Sequence, residues 1–240
     1  MKTIKALGQV MLFVTAMVWS PLLFAQNLFH VSGKVVLHEQ GKHRRLKDES
    51  QVAVWLVPVD GDPVAKASYR APQFQMRQQD KRFEPHLLVI PVGSTVKFPN
   101  RDPWFHNVFS LYRGKRFDLG LYQAGSQKSV QFDRLGPSYI FCNIHPEMSA
   151  VILAVDSHFI GVSDSSGKVS IADVPAGRYR VHFWYEFAAE PEELESREIA
   201  VGQEDVSFGT TTVTVKSRRD PKHTNKYGGQ YDPQTLNPSY

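Results

Sequence analysis

One cysteine, Cys142, stands in a chain of 240 residues, and that scarcity excludes an intrachain disulfide framework. A second apolar run of membrane-spanning length is missing too, so no membrane span is expected beyond the N-terminal segment. Long stretches of 3.6-residue periodicity are absent, which argues against a helical protein. An excess of one charge is also lacking. Removing Lys2 and Lys5 from the 28 basic residues leaves 26 against 24 acidic ones, too even a balance to expect nucleic acid as a partner.

The N-terminus carries Lys2 and Lys5 ahead of an apolar stretch from Met11 to Ala25, broken by Pro21. Residues 1–25 therefore read as a secretory signal cleaved after Ala25, which places the mature protein in the periplasm. Bulky Leu23 stands at the −3 position, so an uncleaved anchor is the alternative. The segment holds no twin-arginine pair, which points to export of the unfolded chain and metal loading outside the cytosol. Export changes the meaning of Cys142. A lone thiol in an oxidising compartment is a liability unless it pairs between molecules or something protects it.

What is present is the grammar of an all-β protein. Short period-2 runs separated by turn residues include Val31–Leu37, Val52–Val57, Leu87–Val92, Val96–Phe98, Val108–Leu111, Phe117–Tyr122, Ser129–Phe132, Ser138–Cys142 and Ala150–Val155. Leu87–Val92 and Val96–Phe98, joined by Gly93-Ser94, read as a hairpin. Further on, Tyr179, Val181, Phe183 and Tyr185 share one strand face, and Arg178, Arg180, His182 and Trp184 the other. Residues 217–240 are polar, with three prolines and Gly228-Gly229, and read as a mobile or surface-draped tail. Arg101, Arg113, Lys115 and Arg116 cluster in the middle, as a solvated face or a docking patch for an acidic partner.

The most informative run is Cys142-Asn143-Ile144-His145-Pro146-Glu147-Met148. Given Cys142, the chain's composition places His at +3 and Met at +6 only about once in 1,300 trials, so the spacing carries information. A thiolate, an imidazole and a weak thioether, joined by a second imidazole, make the donor set of a mononuclear type 1 copper site. The bland alternative is a buried structural cysteine beside an incidental histidine. Zinc suits the set poorly, because a thioether is a weak fourth donor. The second imidazole is assigned to His106, 36 residues upstream of Cys142 and just beyond a strand pair. His86 is the competitor, but it follows Pro85 at the start of a strand and reads as structural.

The stretch from about Phe83 to Val155 resembles a cupredoxin, the small blue-copper Greek-key sandwich. The resemblance is carried by Phe83-Glu84-Pro85, the run Val89–Phe98, Asn100-Arg101-Asp102, His106-Asn107-Val108, Tyr139-Ile140-Phe141-Cys142 and the short ligand loop, which is similar to that of amicyanin. It implies His106, Cys142, His145 and Met148 as ligands of one copper ion, and Asn107 as a hydrogen-bonding residue that orients the ligand loops. It also implies His145 as the exit point for electrons, with Trp104, Phe105 and Pro146 as an apolar rim for transient redox partners. Trp104 and Phe105 are equally readable as packing residues.

Gly161–Tyr185 resembles carboxypeptidase-regulatory-like (transthyretin-like) sandwiches, through Asp164-x-x-Gly167, Val169-Ser170-Ile171 and Val174-Pro175-Ala176-Gly177-x-Tyr179. Val31–Val35 and Val52–Leu56 resemble the opening strands of the same family. The expected organisation is a cupredoxin domain at 66–156 inserted in a second, smaller sandwich formed by 27–65 and 157–216. The alternative is a cupredoxin enlarged by an N-terminal hairpin and followed by an independent module. The expected function is single-electron transfer through Cu(I)/Cu(II). Copper delivery without a redox circuit is the alternative, although its methionine clusters are missing. A structural module with a vestigial site is a third reading. An enzyme is not expected, since no second metal site or substrate pocket can be assembled.

Overall fold

The computed structural model describes residues 27–42, 44–61, 73–111, 114–189, 194, 196–216 and 224–231. The signal segment 1–25, His43, Arg113, the acidic run Glu190–Glu193 and His223 lie outside the described residues. Among the described residues every regular element is a strand. In chain order they are β1 (Leu28–Glu39), β2 (Ala53–Pro58), β3 (Phe74–Gln75), β4 (Arg77–Gln79), β5 (Arg82–Glu84), β6 (Leu87–Pro91), β7 (Thr95–Pro99), β8 (His106–Ser110) and β9 (Phe117–Tyr122). They continue as β10 (Gln127–Gln131), β11 (Gly136–Phe141), β12 (Ser149–Val155), β13 (Phe159–Val162), β14 (Lys168–Pro175), β15 (Gly177–Trp184), β16 (Arg197–Val201) and β17 (Val206–Val215). Among the described residues no helix is long and apolar enough to cross a membrane.

The strands sort into two sandwiches. In the inner one, a five-stranded sheet ordered β6-β12-β11-β8-β9 faces a three-stranded sheet ordered β10-β7-β3, with the ribbon β4-β5 at one side. Alternate residues from both sheets meet in one core, including Ile90, Val96, Phe98, Val108, Phe132, Ile140 and Ile152. In the outer sandwich, β14-β1-β17 faces β13-β2-β15-β16. Strands from before and after the inner sandwich pair directly here: β1 with β14 and β17, and β2 with β13 and β15. Val31, Val35, Val54, Leu56, Ile171, Val181, Phe183 and Val213 fill the space between the two sheets.

Two local features hold the outer seam. Asp164 folds the Asp164–Gly167 turn by accepting the backbone N–H groups of Ser166 and Lys168 at 2.8 and 3.0 Å, as an Asx turn does. Gly167 sits at φ +80°, and a Cβ there would lie 2.0 Å from the Val35 carbonyl oxygen. Only glycine meets both demands. Beneath this turn, the buried Glu49 carboxylate accepts the Leu37 N–H at 3.2 Å and the Arg45 guanidinium. Ser163 Oγ donates to the Glu49 carbonyl at 2.6 Å and accepts the Val52 N–H.

A third apolar cluster joins the sandwiches. Leu87, Val89, Val151, Leu153 and Val155, on the outer face of the five-stranded sheet, pack against Ala53 and Trp184. Strand β12 is therefore buried on both faces, which accounts for its continuous apolar run Ala150–Val155. The same packing buries Trp184, although Arg178 and Arg180 on its strand face are exposed as expected.

The expected hairpin between Leu87–Val92 and Val96–Phe98 does not form. Strand β6 pairs with β12 and β7 with β10, in opposite sheets. Gly93, at φ +89°, turns the chain across the sandwich edge, and its N–H is held by the Phe132 carbonyl at 2.7 Å. Both runs send apolar residues inward, and alternation cannot tell a neighbour in one sheet from a partner across the core.

Candidate metal centre

Three elements deliver the predicted donors to one end of the inner sandwich. His106 opens β8, which lies between β11 and β9, and all five residues of β8 are buried. The register of β8 against β9 shifts between Asn107 and Phe109, an irregularity of the kind that re-aims side chains. Cys142 directly follows β11 and Met148 directly precedes β12. The ladder between those strands ends at Phe141 opposite Ser149, and the Cys142 N–H extends it by donating to the Met148 carbonyl at 3.2 Å. The Met148 N–H returns to the His145 carbonyl at 3.1 Å, closing the loop on itself.

His106, Cys142 and His145 form a cluster whose three donor atoms lie within 4.8 Å of one another. Cys142 Sγ is 3.6 Å from His145 Nδ1 and 4.0 Å from His106 Nδ1. The two imidazole rings sit 4.9 Å apart, centroid to centroid. His106, Cys142 and Met148 are fully buried, while His145 keeps 4% exposure. Met148 shares the apolar core with Cys142.

The surroundings fix which nitrogen faces inward. Asp102 Oδ2 lies 2.7 Å from His106 Nε2. The same carboxylate accepts the Asp80 and Lys81 N–H groups at 2.7 and 2.9 Å. Burial alone would raise the Asp102 pKa; the Lys81 N–H, the His106 ring and the Asp80 N–H outweigh it, and the group is held below its ordinary range. Asp102 is therefore a carboxylate without a proton to give, so His106 Nε2 carries the hydrogen and Nδ1 keeps its lone pair. The turn that supplies the two N–H donors has positive φ at both Asp80 and Lys81, the backbone of a tight hairpin turn. Asn100, also buried, holds the loop before His106: its Oδ1 accepts the Asp102 N–H at 3.0 Å, and its Nδ2 donates to the Trp104 carbonyl at 2.7 Å.

Desolvation acts on each of the three donors. Burial pushes His145 down to about 4, with His106 beside it adding to the effect. Burial also lowers His106, against the pull of Asp102. Both rings are neutral at pH 7 with lone pairs available. Burial raises the Cys142 thiol, although the backbone N–H groups of Asn107, Ile144 and His145 are directed at its sulfur and favour the thiolate. Two neutral imidazoles and a thiol surrounded by N–H donors make a site that a cation completes by displacing one proton.

Asn107 reaches the ligand loop through its backbone N–H to Cys142 Sγ. Its side-chain Nδ2 donates to Asp118 Oδ1 on β9 at 2.8 Å, and its buried Oδ1 has no partner among the described residues. His86 is elsewhere, with Nε2 2.7 Å from Glu186 of the outer sandwich. On the expected rim, Phe105 is 51% exposed, while Trp104 is half-buried beneath the Lys81 ammonium. Asn100 and Asp102 belong to the site, yet they were legible only as part of a resemblance. The usable signal for Asp102 was a carboxylate four residues before a candidate ligand.

The strand order and the His/Cys/His end of residues 74–155 define a cupredoxin-like sandwich within an all-β chain. Comparison with solved structures finds likenesses of the same kind. A Cu-containing nitrite reductase from Thermus scotoductus SA-01 is 24% identical with a TM-score of 0.34, over 41% of this chain and 25% of that one, so the match spans only a quarter of the reductase. A purple cupredoxin from Nitrosopumilus maritimus is 24% identical with a TM-score of 0.32, over 35% of this chain and all of that one. A point variant of amicyanin in its Cu(I) form is 20% identical with a TM-score of 0.33, over 35% and 82%. No protein-family model and no curated protein matches the sequence.

Proposed function

We propose that the inner sandwich binds one copper ion through His106, Cys142, His145 and Met148 and carries single electrons between redox proteins. The observation behind this reading is the convergence of one buried sulfur and two inward-facing Nδ1 atoms within 4.8 Å. Copper bound there supplies the one-electron couple. The chain supplies a rigid donor set. His106 is held by Asp102, Cys142 by the end of the β-ladder and by three N–H groups, and Met148 by the backbone of the same loop. A site held this way limits rearrangement between oxidation states, as electron transfer requires.

The fit to copper rests on donor chemistry. One thiolate and two imidazoles with a weak thioether suit copper, whereas structural zinc asks for four strong donors. Copper delivery without redox chemistry asks for exposed, exchangeable ligands, and these are buried. His145 is the one ligand with residual exposure, and Phe105 stands free near the same end. A partner docking there needs only a small interface, as transient redox encounters do. We read the protein as an electron carrier rather than an enzyme, exported to the periplasm, where copper would protect the lone thiol. The pairing across the outer sandwich supports a two-domain chain, with 66–156 inserted between 27–65 and 157–216.

Adding Cu(II) to the mature chain tests the reading. The expected product shows an intense visible charge-transfer band that Cys142→Ala abolishes. A colourless product would reject electron transfer through this site.

A further inference from the structure

Residues 224–231 form a small folded unit against the ligand loop. Asn225 organises it: its Oδ1 accepts the Tyr227 and Gly229 N–H groups, both at 3.0 Å, and its Nδ2 donates to the Gln230 carbonyl at 2.9 Å. Backbone bonds link Asn225 N–H to the Gly229 carbonyl and Gly228 N–H to the Asn225 carbonyl, both at 2.9 Å. Gly228, at φ +80°, permits the reversal. The unit is thus shaped by its own bonds before it touches the sandwich.

Three of its contacts reach the Cys142 loop and the residue that supports Asn107. Tyr231 Oη donates to the carbonyl of Cys142 itself at 2.9 Å. The Lys226 N–H donates to Asn143 Oδ1, on the next residue of the loop, at 2.9 Å. Lys226 Nζ pairs with Asp118 Oδ2 at 2.8 Å, and Asp118 Oδ1 holds Asn107, whose backbone N–H faces Cys142 Sγ. Such an arrangement goes beyond covering a surface. One bond fixes the peptide on the carbonyl side of the cysteine, the second holds the side chain of the next residue, and the third supports the residue that donates to its sulfur.

We propose that residues 225–231 are a brace for the metal centre, with Tyr231 holding the Cys142 carbonyl and Lys226 holding the Asn143 side chain and Asp118, as positioning residues that together set the direction of the sulfur. The brace rests on the metal-site reading for its purpose but not for its existence. It restrains the ligand loop with or without metal, and it slows the opening that exposes the buried thiol. Neither Tyr231 nor Lys226 ligates.

The test compares the full chain with Tyr231→Phe, with Lys226→Ala/Tyr231→Phe, which also removes the Asp118 pair but keeps the Lys226 N–H, and with a chain ending at Lys216, which removes all three contacts. In the metal-free proteins, labelling of Cys142 by a disulfide reagent under native conditions should speed up by about fivefold per lost hydrogen bond, the ratio a bond of ordinary strength implies. In the Cu(II)-loaded proteins, the charge-transfer band and the copper hyperfine splitting should shift, with thermal unfolding of the sandwich little changed. Unchanged labelling and an unchanged spectrum in the double variant would overturn the brace. A parent chain without any band rejects the metal reading instead, and the labelling rates still decide the brace.

Discussion

Among the described residues each sandwich buries one carboxylate, and the partner of that carboxylate separates the two. In the outer sandwich Glu49 accepts a strand N–H from Leu37 and is neutralised by Arg45, a group that cannot give up its proton. The network ends there and closes a seam between segments far apart in sequence. In the inner sandwich Asp102 also accepts backbone N–H groups, but its third partner is an imidazole. The second nitrogen of that imidazole faces the cysteine sulfur. A buried acid next to arginine is a fastener; the same acid next to histidine orients a ligand.

The largest effect expected from breaking this comparison comes from the cores, which are of one kind. Phe132→Ala in the inner sandwich and Phe183→Ala in the outer one should each lower stability by about 3–5 kcal/mol. Both should move a single calorimetric transition, because the Val151–Trp184 cluster joins the two cores. Two separate transitions would show that each sandwich unfolds alone.

Next come the two acids. Glu49→Ala strands the Leu37 N–H while half-exposed Arg45 turns to water, so the loss should be about 1–3 kcal/mol in a urea titration, with copper affinity unchanged. Asp102→Asn should do the reverse. It leaves the fold largely intact and weakens copper binding about 10–100-fold in chelator competition. Equal effects of both substitutions on copper would erase the contrast.

The mildest test is pH. His145 is lowered from 6.5 to about 4 in the fold, so the unfolded chain binds a proton there that the folded chain does not. That contribution is complete above pH 6.5 and is lost as pH falls towards about 4. Glu49 is also depressed from its ordinary 4.5, so its contribution is complete above that value and disappears as pH drops through the lower folded pKa. Urea midpoints of the metal-free protein should therefore begin to fall below pH 6.5, before Glu49 titrates. His145→Phe should shrink the early decline, to which His106 and His182 also contribute, and Glu49→Gln should shrink only the later one, which it shares with Asp102.

Much of this was readable along the chain. Strand positions followed from alternation and turn residues, and Ala150–Val155 was among them, although its burial on both faces appears only in the structure. The loop Cys142–Met148 offered its donors through residue types alone. Other features were not readable, because they depend on which distant residues meet. The Gly93 corner shows this: the same two runs fit a hairpin or opposite sheets, and Phe132 decides between them by holding the Gly93 N–H. Likewise Asp102 could not be assigned until the turn at Asp80-Lys81 supplied its hydrogen bonds.

The sequence by itself determined that the chain is built of strands and which donors are on offer, since side-chain periodicity and residue chemistry are local properties. The tertiary structure alone decided that Asp102 sets the tautomer of His106, and that Tyr231, 89 residues beyond Cys142, touches the cysteine's own carbonyl. Those are contacts between segments whose spacing in sequence holds no record of their distance in space.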